Sequence, residues 1–342
     1  MDYMIDSHKL MFHPERVADW LQGKKIYPIY VEISLTSMCN HRCIFCAMDF
    51  KGYKPVTLRT EELMNTIKDM AKAGVKAIMF GGEGEPLLHK DIVSIVEYTY
   101  DVGIDIGITT NGTTLNPLLA ERLLPYVKWI KISMNAGNPV TYMKIHRTGR
   151  EDFYKTLVNV TAASVMKIVH RNNCAIGVQA VVLEDNVNEL LTIAEIARST
   201  GADYLVLKPY APLNLSNNKC EIIQIPKEIK DTLKTLETSV FKIIIRENAF
   251  KTLEEEVRSY YTCYAAPFWS YIDSEGNVCG CSAHMGNKKF LYGNIYKDSV
   301  REIWLSNKMS IDTIDCRKGC RMHQCNKYLY NLLYPSDHVN FI

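Results

Sequence analysis

From about residue 29 the chain alternates short apolar runs with longer amphipathic ones. The runs Ile29 to Leu35, Val75 to Phe80, Ile104 to Thr109, Trp129 to Met134, Ala175 to Leu183 and Tyr204 to Leu207 are rich in valine and isoleucine, the pattern of strands buried on both faces of a parallel sheet. A segment opening at Thr60 puts Leu63, Ile67, Met70 and Ala71 on one helical face and stops at Gly74. Threonine is a good N-cap and glycine a good terminator. Another segment begins Asn116-Pro117, a cap followed by proline at the first helical position, and carries Leu118, Leu119, Leu123 and Leu124. Helices are also expected over 89–102, 151–170 and 186–200.

Six such β/α units predict a parallel sheet with right-handed crossovers and covering helices. Six is short of the eight in a closed barrel, so the expected fold class is α/β, a partial (β/α)6 TIM-like barrel with its site at the carboxyl ends of the strands. After Pro209 the rhythm breaks into a polar loop over 214–219, a helix from Pro226 and a strand from Phe241 to Arg246. The expected division is an N-terminal extension over 1–28, a partial barrel over 29–250 and a small cysteine-rich domain over 251–342.

Composition narrows the function class. The 342 residues are 47% hydrophobic, enough for a full core, and a net charge of +2 leaves no bulk electrostatic footprint for nucleic acid or an anionic membrane. No basic segment followed by an apolar core opens the chain, and no run of 18 apolar residues occurs, so a cytoplasmic protein without a membrane partner is expected. Eleven cysteines are many for such a chain, and in a reducing compartment they point to metal or redox chemistry. Three lie between 39 and 46 and six between 263 and 325, with Cys174 and Cys220 apart.

The first group reads Cys39-Asn-His-Arg-Cys43-Ile-Phe-Cys46, directly after the first predicted strand. Three thiolates on one loop can hold an iron-sulfur cube and leave its fourth iron open to a ligand. Zinc is the competing occupant, with His41 as its fourth ligand. The C-x3-C-x2-C spacing, with aromatic Phe45 just before the third cysteine, resembles the radical S-adenosylmethionine (SAM) superfamily. That resemblance implies a 4Fe-4S cluster on Cys39, Cys43 and Cys46 that chelates SAM. With one electron from an external reductant such as flavodoxin or ferredoxin, SAM is split into methionine and a hydrogen-abstracting 5'-deoxyadenosyl radical.

Phe80-Gly-Gly82-Glu83-Gly84-Glu85-Pro86 looks like the Gly-Gly-Glu-Pro motif that holds the SAM amino group. Glycines let the backbone come close, and a carboxylate pairs with the ammonium. Either Glu83 or Glu85 makes that contact, and Glu85 is preferred. Asn111, at the end of the third strand, and Ser133 and Asn135, at the end of the fourth, resemble the polar groups that reach the SAM carboxylate and ribose.

The second group spreads around Asp273 to Gly276, a hairpin turn signal that would place Cys279 and Cys281 on one strand face. With Gly293-Asn-Ile and Glu302-Ile-Trp304, it resembles the SPASM or twitch extensions of radical SAM enzymes. The resemblance implies a second, auxiliary 4Fe-4S cluster on Cys263, Cys281, Cys320 and Cys325, with Cys316 able to displace one of them. A zinc ribbon is the alternative. In some radical SAM epimerases a cysteine returns a hydrogen atom to the substrate radical. Cys279 and Cys220 are the candidates, although free cysteine is usually a buried small apolar residue.

Only 38 residues precede Cys39, whereas peptide maturases of this group commonly carry a sizeable N-terminal recognition domain. The expected substrate is therefore a small molecule, a sugar or polyol undergoing epimerisation, dehydration or oxidation. Peptide modification comes second, and a non-catalytic electron-transfer or metal-binding protein third. Lys208, Arg246, His146 and Arg147 are the candidate binders of an anionic group.

Overall fold

A computed structural model describes residues 3–213, 215–255, 257–305, 311–313, 316 and 318–341. Its strands are β1 (Tyr30–Ile33), β2 (Ala77–Phe80), β3 (Asp105–Thr110), β4 (Trp129–Ser133), β5 (Ala175–Val182), β6 (Tyr204–Pro209), β7 (Lys242–Ile245), β8 (Trp269–Ile272), β9 (Asn277–Cys279) and β10 (Leu291–Asn294). They form one sheet in the order β10, β9, β8, β1, β2, β3, β4, β5, β6, β7. Strands β1 to β7 are parallel, and the sheet stays open between its two edge strands.

The six expected strands are all present, and the parallel row is longer by β7, which pairs with β6. At the other edge β8 joins β1 in parallel and begins the antiparallel β8, β9, β10 meander. The cysteine-rich region thus continues the barrel sheet, and the expected boundary near 250 falls inside the helix Glu247–Glu254.

Strand periodicity sorts the side chains. Val31, Ile33, Ile78, Phe80, Ile106, Ile108, Ile130 and Ile132 face outward into a core with Leu63, Ile67, Met70, Ile95 and Leu123 of the covering helices. The alternate residues Glu32, Met79, Thr109, Lys131, Ser133, Gln179 and Lys208 line a central cavity of about 440 Å³. Two glycines lie on the same strand faces as Thr109 and Gln179, nearer the strand starts. A Cβ on Gly107 would lie 2.2 Å from the Trp129 ring, and one on Gly177 would lie 2.1 Å from the Tyr204 ring. These rings, at the first residues of β4 and β6, fill the space the glycines leave, and Tyr3 packs on Tyr204 at 4.7 Å between centroids.

Helix ends follow the sequence in part. Asn116 caps the helix Pro117–Leu123 by accepting from the Leu119 amide at 2.9 Å. Thr60 is instead the first residue of the helix Thr60–Lys72, and its hydroxyl donates to Asp91 Oδ2 at 2.6 Å, because a carboxylate is a stronger partner than a backbone amide. Among the described residues no helix is long and apolar enough to cross a membrane.

Candidate active site

The loop leaving β1 carries Cys39, Cys43 and Cys46 at the carboxyl end of the strands. Three anchors fix it. The Arg42 and Ile44 amides donate to the carbonyls of His146 and Ile145 at 3.0 and 2.9 Å, docking the loop on the helix Pro139–His146. Asn218 Nδ2 donates to the Cys46 carbonyl at 3.0 Å, and Asp49 accepts from the Asn217 amide at 2.8 Å. Burial pushes the Cys39 thiol up to about 11, pushes Cys46 up and pushes Cys43 well up, and the sulfurs raise one another further. Such crowded thiols ionise readily only with a metal to take the charge.

Phe45 lines the cavity and packs edge-on against His146 at 6.0 Å. His146 is buried, with Nδ1 3.4 Å from Cys43 Sγ and Nε2 3.2 Å from Asn135 Nδ2. His41 Nε2 meets Asp152 at 3.2 Å, and its Nδ1 is buried without a hydrogen bond. His41, Cys43 and His146 bring ligand atoms within 4.8 Å of one another. That trio leaves out Cys39 and Cys46, so a single zinc ion there would not use the whole cysteine motif.

The loop after β2 docks on the cysteine loop through the Glu85 amide, which donates to the Met38 carbonyl at 2.8 Å. The Glu85 carboxylate accepts from Thr110 Oγ1 at 2.6 Å, the Asn111 amide at 2.7 Å and the Leu87 amide at 3.1 Å. Burial nevertheless pushes it up to about 7, against those three donors. Both oxygens thus accept hydrogen bonds from Glu85's own loop and the end of β3.

Glu83 accepts from the Ser274 amide at 3.0 Å and faces Lys51 Nζ at 3.4 Å, so it ties the loop to the β8–β9 turn. Gly82 alone of these residues lines the cavity. Its φ is 123°, and a Cβ there would lie 2.3 Å from Ser34 Oγ, which leaves room only for glycine. Ser133 also reaches the cavity, whereas Asn111 and Asn135 do not line it. Asn111 donates to Asn40 of the cysteine loop at 2.7 Å, and Asn135 accepts from the Val181 amide at 2.7 Å as a clasp between β4 and β5.

In the second group, Cys263 is pushed up first by burial and then by the charges of Cys320, Cys281 and Cys316. Cys263, Cys281 and Cys316 also pack on one apolar cluster with Phe290. Cys325 senses Cys320 among the cysteines, packs with Leu329 and lines the central cavity. Cys263 also shares the Leu329 cluster with Cys325, and Cys320 lines the same cavity, so both Cys316 and Cys325 lie among the other cysteines of the group. Cys263→Ser, at the cysteine common to both clusters, is expected to remove about four irons per chain, as read by iron analysis after reconstitution.

β9 ends at Cys279, so the period-two argument does not extend to Cys281. Cys279 lies beneath the network of Asp273, Lys51 and Glu83, and Cys220 lines a separate hollow with Arg147 and Asp185. Neither candidate hydrogen donor lines the central cavity. Of the candidate anion binders, Lys208 and Arg246 line it. His146 is buried behind Phe45, and Arg147 lies in the other hollow.

Three cavity features escape the motif-based reading of the sequence: the Glu32–Arg321 ion pair, the Arg246–Asp6 pair at 3.6 Å and Lys131. A signal for them is present, since Glu32 and Lys131 interrupt apolar strands in Tyr-Val-Glu-Ile and Trp-Ile-Lys-Ile.

Comparison with known proteins agrees with this layout. Residues 33–178 match the radical SAM superfamily, and residues 263–327 match SPASM, an iron-sulfur cluster-binding domain. An AdoMet-dependent heme synthase of Methanosarcina barkeri is 24% identical over 298 residues, 81% of this chain and 82% of that protein. A probable GTP 3',8-cyclase of Methanocaldococcus jannaschii is 30% identical over 205 residues, 59% of this chain and 66% of that protein. In fold, Streptococcus suis SuiB bound to S-adenosylmethionine superposes with a TM-score of 0.68 at 16% identity, covering 88% of this chain and 71% of SuiB. AnSMEcpe with bound AdoMet and the Cp18Cys peptide gives 0.56 at 20% identity, covering 82% and 81%. With both matched segments falling on the two cysteine groups that flank the cavity, this chain belongs to the radical SAM superfamily and carries a C-terminal SPASM domain.

Proposed function

We propose that this enzyme abstracts a hydrogen atom from a peptide side chain held in the central cavity. The observation that carries the reading is the cavity itself, lined by Cys46 and Phe45 of the first cysteine group and by Cys320 and Cys325 of the second. A substrate there lies between the two iron-sulfur centres. The donor set fits the family's cofactors: three thiols share one anchored loop for a 4Fe-4S cluster, and Cys263, Cys281 and Cys320 gather with Cys325 or Cys316 for the auxiliary one. When bound, the cluster and SAM supply a 5'-deoxyadenosyl radical for hydrogen abstraction.

The chain's own residues do the rest. Gly82 lets the loop backbone face the cavity, where its carbonyls would accept from the SAM ammonium. Glu85 holds that loop against the cysteine loop and β3, acting on position rather than by contact. Ser133 and Thr109 present hydroxyls at the strand ends.

Peptide substrates are favoured by the fold likeness to SuiB, whose structure is also known with its precursor peptide SuiA, and to anSMEcpe with a peptide bound. A small sugar or polyol is the second reading, supported by the polar lining of Asp6, Ser7, Gln179, Asn248 and Gln324. To separate them, the reconstituted protein is given SAM, dithionite and either the peptide or the peptide-free fraction of a cell extract. The peptide fraction is expected to raise 5'-deoxyadenosine output. Stimulation by the peptide-free fraction alone would transfer the assignment to a small molecule.

A further inference from the structure

We propose that the cavity recognises its substrate through a carboxylate, received by Lys131 and Arg246. The inference rests on the reading that the cavity is the substrate site, and it adds the substrate's charge.

Among the described lining residues, Lys131, Lys208, Arg246 and Arg321 carry positive charge, and Asp6 and Glu32 carry negative charge. Glu32 is engaged through both oxygens, and Asp6 through Oδ2, with its Oδ1 left facing Arg246. Glu32 Oε2 accepts from Arg321 Nη1 at 2.9 Å, and a second, closer contact joins Oε1 to Nη2. Tyr30 donates to the same carboxylate at 2.8 Å. Arg321 also stacks over Trp269, 4.8 Å from its centroid, so this pair is a built part of the wall. Asp6 Oδ2 accepts from the Asn248 amide at 2.7 Å.

Arg246 and Lys131 differ from Arg321. Arg246 Nε is buried without a hydrogen bond, and its nearest carboxylate oxygen, on Asp6, is 3.6 Å away, beyond a good hydrogen bond. Lys131 has neither a hydrogen bond nor an ion pair among the described residues, and its amine lies 5.0 Å from the Trp129 ring centroid. Enclosure pushes the Lys131 ammonium down to about 8, helped by Arg246 and Arg321 and opposed by Glu32. A buried donor without an acceptor is costly, and a cavity that holds Arg246 Nε in that state beside a Lys131 ammonium with no counter-ion is arranged for an anion that arrives from outside. The Lys131 amine lies over Trp129, the first residue of β4, so a carboxylate that reaches it would sit away from the cysteine loop at the strands' other end.

SAM carries a carboxylate too, so the test must separate the two sources. The full chain, reconstituted and saturated with SAM, is titrated with succinate by anaerobic calorimetry. Dimethyl succinate serves as the uncharged control. Saturable binding of succinate and none of its ester is expected, with Lys131→Met weakening it about tenfold or more and Lys131→Arg retaining it within about threefold. SAM affinity of the Lys131→Met protein is expected to stay within about twofold of the unmodified chain's. Equal binding of ester and acid, or no saturable binding of succinate, would overturn the proposal. So would a tenfold loss of SAM affinity in Lys131→Met, which would assign the lysine to the cofactor's own carboxylate. SAM cleavage without substrate is scored in the same preparations, so failure of the radical SAM reading is seen independently.

Discussion

Serine in place of Cys43 is expected to remove about four irons per chain and all 5'-deoxyadenosine formation. Cys43 is the most enclosed of the three thiols, wedged between the helix Pro139–His146 and its own loop. A hydroxyl is a poor iron ligand, and no other thiol of this loop is available to replace it. His146 Nδ1 lies 3.4 Å from the sulfur, but its Nε2 is held by Asn135 and its backbone anchors the loop, so it is not free to turn into the gap. The second cysteine group is remote in sequence and should keep its own iron. Iron and sulfide analysis with product chromatography reads both effects, and full iron content in the serine variant would show that Cys43 is not a ligand.

Gly84→Ala is the second large effect, and it arises from backbone geometry. A Cβ at this position would lie 2.2 Å from the Met38 carbonyl oxygen and 2.5 Å from that of Thr36. Both atoms belong to the strand and loop that deliver Cys39, and the Met38 carbonyl is the acceptor for the Glu85 amide. Neither can yield as a flexible side chain would. Overpacking of this kind costs about 1–3 kcal/mol, and here it also separates the loop after β2 from the cysteine loop. Thermal unfolding should show the lost stability, and SAM affinity should fall about tenfold or more. Gly81→Ala is the control, since its nearest contacts, on Thr109, are at 3.3 and 3.4 Å. A Gly84→Ala protein with unchanged SAM affinity would mean that the docking of the two loops does not matter for the cofactor.

The fold is legible in the sequence where one kind of force dominates. Buried parallel strands read as apolar runs, and all six expected ones appear within a few residues of their limits. The edges are harder. Phe241 to Arg246 reads as a lead into the cysteine region, because nothing local tells a seventh barrel strand from a connector. Its pairing with β6 is a property of the sheet. The parallel junction of β8 with β1 is likewise invisible in the sequence, being a contact between residues about 240 positions apart.

The site shows the same division. Cysteine spacing and the glycine-rich loop are readable because their chemistry requires fixed intervals in one segment. Glu85 is readable from its motif, whereas its bonds to Thr110 and Asn111 are not, since these come from the next strand. Cys279 and Cys220 are plausible donors by sequence position alone, and the structure puts both outside the central cavity. Lys131 and Glu32 stand in plain view as charges within apolar strands, yet their meaning depends on which strand face closes the cavity.

The central claim is tested most directly by one anaerobic assay: reconstitute the unmodified chain, add dithionite and SAM, and quantify 5'-deoxyadenosine against iron bound. The account predicts product formation together with about eight irons per chain, four for each cysteine group. Clusters present without SAM cleavage, or zinc in place of iron, would contradict it and leave an electron-transfer or metal-binding protein as the better description.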